Sequence, residues 1–261
     1  ENLQLNIETT VFEEKNISYQ YFASPVTVSK NKAQTVRDSL SRLPGSPTRI
    51  TTIQKDLTLA GAADQLIDNA DLVISALDNF PAQSAVGLAC EKAGIPFALV
   101  GSMGFCIQYT IYLPDASHSY SSAWKHFFRR PGGGPMDTDG PELRNMMHLQ
   151  SILFAVLLGG YSREAIHGML ERFRKDGTMQ FYDLACTGYF VAAMGVLNAL
   201  RYAAGNRDAV IFPEVVSLDM KHMRAFDGRE IIEGITELNR AWAQDTDAVM
   251  ACLESRGRFL Q

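Results

Sequence analysis

Residues 69–100 read "NADLVISALDNFPAQSAVGLACEKAGIPFALV". The run from Asp71 to Ala76 is apolar and β-branched enough to lie inside a parallel sheet. Between Pro81 and Ala93 the apolar residues recur at helical spacing, and from Pro96 to Val100 the chain is again continuously apolar. Strand, helix, strand in that order is the βαβ unit of a parallel sheet. Asp78 and Asn79 therefore fall at a strand's C-terminal end, where open α/β sheets bind their ligands. Two readings of Asp78 follow from its position alone: a helix N-cap, or an acidic ligand-binding residue.

The alternation extends upstream. Lys32 to Arg42 has a helical pattern, Thr48 to Gln54 reads as a β-branched strand, and Ala60 to Asp68 as a short helix. Downstream, "FCIQYTIYLP" from Phe105 to Pro114 predicts a longer strand. The segment "PGGGPMDTDGP", residues 131–141, has turn and breaker composition. Helices are predicted over Glu142 to Leu158, Ser162 to Arg174 and Gly188 to Ala204. "AVIFPEVVSLDM" supplies one or two late strands, and Arg229 to Ser255 reads as one long amphipathic helix. The expected organisation is a partial α/β domain over 1–115 and a loop and helical insertion over 116–182. A core helix, late strands and a C-terminal helix over 183–261 complete the same domain.

Composition narrows the class. With 261 residues, 46% of them hydrophobic, the chain has ample material for a core. A net charge of -5 with scattered basic residues argues against a nucleic-acid partner. The apolar stretches are too short, or too interrupted by Asn198 and Arg201, for a membrane span of about 20 residues. Cys90, Cys106, Cys186 and Cys252 form no C-x-x-C pair, which points to a reducing, cytoplasmic setting without structural zinc. The N-terminal "ENLQLNIETTVF" has no signal-peptide pattern and begins with Glu1, so the chain is expected to start within a domain.

Residues 69–115 as a whole, from "NADLVISALDN" through "GIPFALVGSMGFCIQYTIYLPD", resemble the second half of the nucleotide-binding domain of the ThiF/MoeB superfamily. These are the adenylyltransferases related to ubiquitin-activating enzymes. "SKNKAQTVRDSLSRL" resembles the family's G-[KR]-x-K-A helix start, and "GYFVAAMGVLNALRYAAG" its glycine-spaced helix beneath the site. The resemblance implies a Rossmann-like, mostly parallel sheet of the ThiF/ubiquitin-activating type, with an inserted helical segment and a C-terminal helix. It implies ATP and Mg²⁺ as the reaction's requirements. The substrate would be the C-terminal carboxylate of a peptide or small β-grasp protein, converted to an acyl-adenylate with release of pyrophosphate. A homo- or heterodimer is expected.

By the family pattern Asp78 would hold Mg²⁺ and Lys32 would place a point charge on the phosphates. Asn2, Leu77 and Asn79 would line the nucleotide with them. Lys30 competes with Lys32 for the phosphate role, and either is also readable as a solvated helix residue. Cys186, near a predicted helix start, is a candidate nucleophile against the simpler reading of a small buried residue. His118, His126, Arg129 and Arg130 cluster in "SHSYSSAWKHFFRR", as a phosphate-facing loop or a solvated surface.

The chain also departs from the pattern. The glycine-rich phosphate turn and the acidic ribose-binding residue are missing. "ENLQLN" resembles the S-N-L-x-R-Q segment through Asn2 and Leu3, but carries Leu5 at the arginine position. Gln83 stands where an arginine often follows the Asp-Asn pair. Without a preceding strand and helix, Thr48–Gln54 and Asp71–Ala76 are expected to lack a sheet neighbour until an upstream segment or partner chain covers them. Adenylation is accordingly expected only from a complete assembly. Two other classes stay open: a non-catalytic partner subunit of the same fold, and an NAD(P)-dependent oxidoreductase, whose Rossmann domains also use strand-end "DLVISALDN"-like segments. The cysteine spacing yields a direct prediction: elemental analysis of purified protein finds no stoichiometric zinc, and one zinc per chain contradicts it.

Overall fold

Strand β1, Asn2–Asn6, lies parallel to β2, Arg49–Ile53, in register from Asn2 opposite Arg49 to Asn6 opposite Ile53. A computed structural model describes residues 2–6, 11–44, 49–57, 59–77, 80–103, 106–124, 161–176, 185–219 and 223–256. Helix α1, Lys32–Leu40, is part of the connection between the two strands and packs on both. It begins where Asn31 accepts a hydrogen bond from the Gln34 N–H at 2.9 Å, satisfying one of the amides that every helix start leaves open. Ahead of it, the chain closes on Phe12, which is 3% exposed. The Phe12 N–H donates to the Lys30 carbonyl and the Ser29 N–H to the Phe12 carbonyl, at 2.9 and 2.8 Å. Ser29 turns in the left-handed region, at φ 67°, to make that closure. A short helix α2, Ala62–Leu66, follows. Thr48–Gln54 was expected to lack a sheet neighbour; its strand has one, because Asn2–Asn6 is extended.

The chain divides into two compact units, Glu1–Asn69 and Ala70–Gln261. The second is built on a five-stranded sheet in the order β3 (Val73–Ser75), β4 (Phe97–Met103), β5 (Cys106–Tyr112), β6 (Glu214–Asp219), β7 (Met223–Asp227). Strands β3 and β4 are parallel and joined by α3, Phe80–Ala93, as the reading of residues 69–100 requires. Asp71–Ala76 thus also has a neighbour.

The α/β class holds, with parallel pairs in the first half of the chain and antiparallel pairs from β5 onward. Connection length decides this change. Met103 pairs with Cys106, leaving two residues between the strands, and so short a link makes a hairpin, whereas a parallel pair needs a crossover of about a dozen residues.

Helix α4, Tyr120–Trp124, docks through Tyr120, which is 1% exposed. Its ring lies against Gly87 of α3, where a Cβ would come within 2.8 Å of it, and meets Phe97 and Tyr112 edge-on at 5.5 and 5.2 Å. The Ser121 N–H and hydroxyl both donate to Glu91, at 2.8 and 2.6 Å. Helix α5, Arg163–Asp176, buries Ile166, Met169, Leu170 and Phe173. The predicted helix Glu142–Leu158 and the segment 131–141 lie outside the described residues.

Helix α6, Ala185–Ala203, packs on β4 and β5. At Gly195 a Cβ would sit 2.0 Å from Val100 Cγ1, so only glycine permits this approach. Val191 joins Val100, Ile107 and Tyr109 in one core cluster, and Ala199 joins Ala98 and Ile111 in another.

The expected single helix over Arg229–Ser255 is two, α7 (Gly228–Trp242) and α8 (Thr246–Arg256). Asp245 ends the run by capping the second helix, accepting from the Ala248 N–H at 2.7 Å. One uninterrupted helix of that length would extend about 40 Å. The break instead allows α7 and α8 to pack together, with Ile235 and Leu238 buried on one and Val249, Met250 and Leu253 on the other.

Asn198 is buried in α6, accepting from the Val210 N–H at 2.7 Å and donating to the Val210 carbonyl at 3.0 Å. That carbonyl also accepts from the Ile111 N–H, whereas among the described residues the Val210 N–H donates to Asn198 alone. Asn198→Ala leaves the part-buried Val210 N–H without this acceptor and is expected to destabilise the fold by about 1 kcal/mol in urea unfolding. An unchanged midpoint contradicts this.

Candidate functional site

The candidate site starts at the C-terminal end of β3. Alternation along the strand leaves Ile74 44% exposed and buries Ser75 at 4%. Among the described residues the Ser75 hydroxyl has no hydrogen-bond partner. A buried hydroxyl left unpaired costs about 1–3 kcal/mol, so each one calls for an explanation. Leu77 beyond it is half-buried. Asp78 and Asn79, on which the acidic-ligand reading rests, lie outside the described residues. Sequence reasoning passed over Ser75, although a polar residue inside an apolar strand run was the signal available.

Lys32 and Asn2 belong to the first unit. Lys32 opens α1, is half-buried, and holds its ammonium over the Phe12 ring, 5.8 Å from the centroid. Its competitor Lys30 is exposed. The two cations are thus physically distinct, one held by an aromatic face and the other in solvent. Asn2 begins β1, opposite Arg49, in a strand against which α1 packs.

Cys186 occupies the first turn of α6 and is exposed, its sulfur 3.9 Å from the Thr187 hydroxyl. Cys90 is buried in α3, and burial pushes its thiol up to about 12. Burial, reinforced by Glu237, also raises the Cys252 thiol. Within the proposed basic cluster, His118 binds Asp115 through Nδ1 at 2.9 Å on an exposed turn. Partial burial raises the Asp115 carboxyl, but hydrogen bonds from the His118 ring and the Ser117 and His118 amides outweigh it and hold the group below its usual range. His126, Arg129 and Arg130 lie outside the described residues.

Among the described residues, no helix is long and apolar enough to cross a membrane, and no three His, Cys, Asp or Glu side chains converge as a metal site.

A βαβ unit continued by an antiparallel strand set, with a glycine-seated helix packed on β4 and β5, defines a mixed α/β fold. The chain belongs to the ThiF family, which its sequence matches over residues 9–236. No curated protein matches it in sequence. Among solved structures, PaaA shares the fold at 17% identity and a TM-score of 0.57, over 87% of this chain and 63% of that one. E. coli MccB with ATP shares it at 12% identity and 0.57, over 87% and 55%. Microcin C7 biosynthetic enzyme MccB in complex with N-formylated MccA does so at 13% and 0.58, over 87% and 56%. The chain therefore spans just over half the length of MccB and about three-fifths of PaaA.

The contrast between the cysteines is open to measurement. Under native conditions a thiol-specific disulfide reagent should modify Cys186, while Cys90 should react only after unfolding, because a raised pKa suppresses its thiolate. Native-state labelling of Cys90 at a rate matching Cys186 contradicts it.

Proposed function

We propose that this chain forms the nucleotide-binding part of an ATP-dependent adenylyltransferase of the ThiF type, which activates the C-terminal carboxylate of a peptide or small β-grasp protein. The observation that carries the reading is the family match over residues 9–236, which takes in both Lys32 and the end of β3. The Ser75 hydroxyl at that strand end supports a ligand there, since no described residue takes up its hydrogen bond. The MccB complexes with ATP and with N-formylated MccA favour a nucleotide and a peptide as the two substrates.

In this reading a carboxylate oxygen attacks the α-phosphorus of ATP, forming the acyl-phosphate bond as the bond to pyrophosphate breaks. Asp78 would hold Mg²⁺, which neutralises phosphate charge when bound. One carboxylate is enough, because Mg²⁺ takes most of its remaining oxygens from phosphates and water. Lys32, at a helix start with its ammonium over the Phe12 ring, would supply positive charge for the phosphates, as the family resemblance implies. Ser75 donates to the bound nucleotide, and Asn2, Leu77 and Asn79 line it.

Calorimetry and thermal shifts with Mg-ATP test this. Mg-ATP should stabilise the wild-type chain, and Asp78→Asn should weaken its binding about tenfold, or about 1.4 kcal/mol. Ser75→Ala should bind about fivefold more weakly yet melt no lower without nucleotide, because it removes an unpaired buried hydroxyl. Equal Mg-ATP affinity in Asp78→Asn would reduce Asp78 to a helix cap. Stabilisation by NAD(P) instead would indicate hydride transfer, and no response to either ligand would indicate a partner subunit.

A further inference from the structure

Pairing register sets the side chains of the central sheet in rows. Ser75 stands beside Leu99 and Leu99 opposite Thr110, so the three share one face. The next row toward the C-terminal end of β4 places Gly101 opposite Gln108 on that same face. It is the face turned away from α6, whose partners Val100, Ile107 and Tyr109 alternate with this set. Burial falls along it: Phe97 and Leu99 are buried, whereas Gly101 and Gln108 are half-buried. The face is thus closed where Tyr120 of α4 meets Phe97 and opens toward the strand ends of the candidate site. Gln108 lies across this opening. A Cβ on Gly101 would come within 3.3 Å of its Nε2 and 3.5 Å of its Cγ, so the carboxamide fills the space that a side chain at 101 would need. Folded in this way, it covers one of the two strand spacings, about 4.8 Å each, that separate β5 from β3. Among the described residues none shares a hydrogen bond with it.

We propose that the Gln108 carboxamide binds the peptide backbone of the substrate, at the residue before the one whose carboxylate is activated. This rests on the adenylyltransferase reading above. A carboxamide presents an acceptor and two donors side by side. In an extended peptide the N–H and C=O of one residue point the same way, as in the closely spaced bonds of an antiparallel ladder, so one carboxamide takes both. An ionised phosphate offers acceptors alone and would set negative charge against the carboxamide oxygen. Distance agrees with this choice. If the phosphates lie at the end of β3, the preceding residue of an extended chain follows about 3.5 Å further on, which is close to one strand spacing. That is where the carboxamide lies. Gly101 adds the room, since any side chain beneath would push the carboxamide off this position.

Calorimetry on the full 261-residue chain with two unreactive acyl-adenylate analogues tests it. N-acetylglycylglycyl sulfamoyl adenosine carries the peptide residue; acetyl sulfamoyl adenosine lacks it. Gln108→Leu should bind the first about tenfold more weakly and the second as the wild type does. Gly101→Ala, whose methyl displaces the carboxamide, should show the same selectivity at about threefold, and it decides alone if Gln108→Leu does not fold. A merely structural role would weaken both analogues together. Equal losses for the two would therefore assign Gln108 to the nucleotide or to the fold, and an unchanged affinity for the first would place it outside the site; either result overturns the proposal. Wild-type binding of both analogues with unselective variants removes this inference alone. If the wild type binds neither, the adenylyltransferase reading falls and this inference with it.

Discussion

The second unit is organised around the place where Gly195 lets α6 settle onto Val100. Any side chain there would hold the helix away from the sheet. Close seating brings Val191 and Ala199 into the two clusters that bind β4 and β5 to the helix. It also brings Asn198 to Val210, and with that pair the segment ahead of β6 aligns along β5: Ile111 donates to Val210, and Phe212 donates to Ile111. The antiparallel half of the sheet, itself held by its strand pairing, is thus tied to α6 by one close contact and a few directed hydrogen bonds. Surface ion pairs such as Arg163 with Glu254 and Arg256 with Glu237 add little beside it, because exposed pairs contribute at most about 1 kcal/mol.

What the sequence made legible follows from how strongly each segment is patterned. Val73–Ser75, Phe80–Ala93 and Phe97–Met103 lie where residues 69–100 predicted, because the change from continuous to helical periodicity is abrupt there. The start of α1 was equally clear, since the helical pattern read from Lys32 begins where the helix does. Strand direction after Phe97 was less legible, because burial looks the same in parallel and antiparallel strands and only connection length separates them. The break at Asp245 was hidden for a related reason. It has neither glycine nor proline, and apolar spacing resumes after it at the same period. The strand Asn2–Asn6 was read as a family motif, and its alternating pattern went unused.

The candidate site was legible in part. Helix position singled out Lys32, but only packing distinguishes it from Lys30, since the difference is the ring of Phe12, twenty residues away. Ser75 escaped notice because what marks it is the lack of a hydrogen-bond partner among the described residues, which only three-dimensional surroundings disclose. Cys186 reads in sequence as a small interior residue, yet lies exposed because the buried stripe of α6 begins one residue later, at Thr187.

The contact between Phe12 and Lys32 also bears on selectivity. A free lysine chain samples many rotamers, and fixing it for a ligand costs up to about 2 kcal/mol in conformational entropy. Resting over an aromatic face, the Lys32 ammonium has already given up part of that freedom, and the backbone closure around Phe12 holds the ring itself in place. In the proposed role of Lys32, an anion recruited by this ammonium would meet a charge of restricted reach. Discrimination among anions would then depend on where each holds its negative oxygens more than on how many it carries.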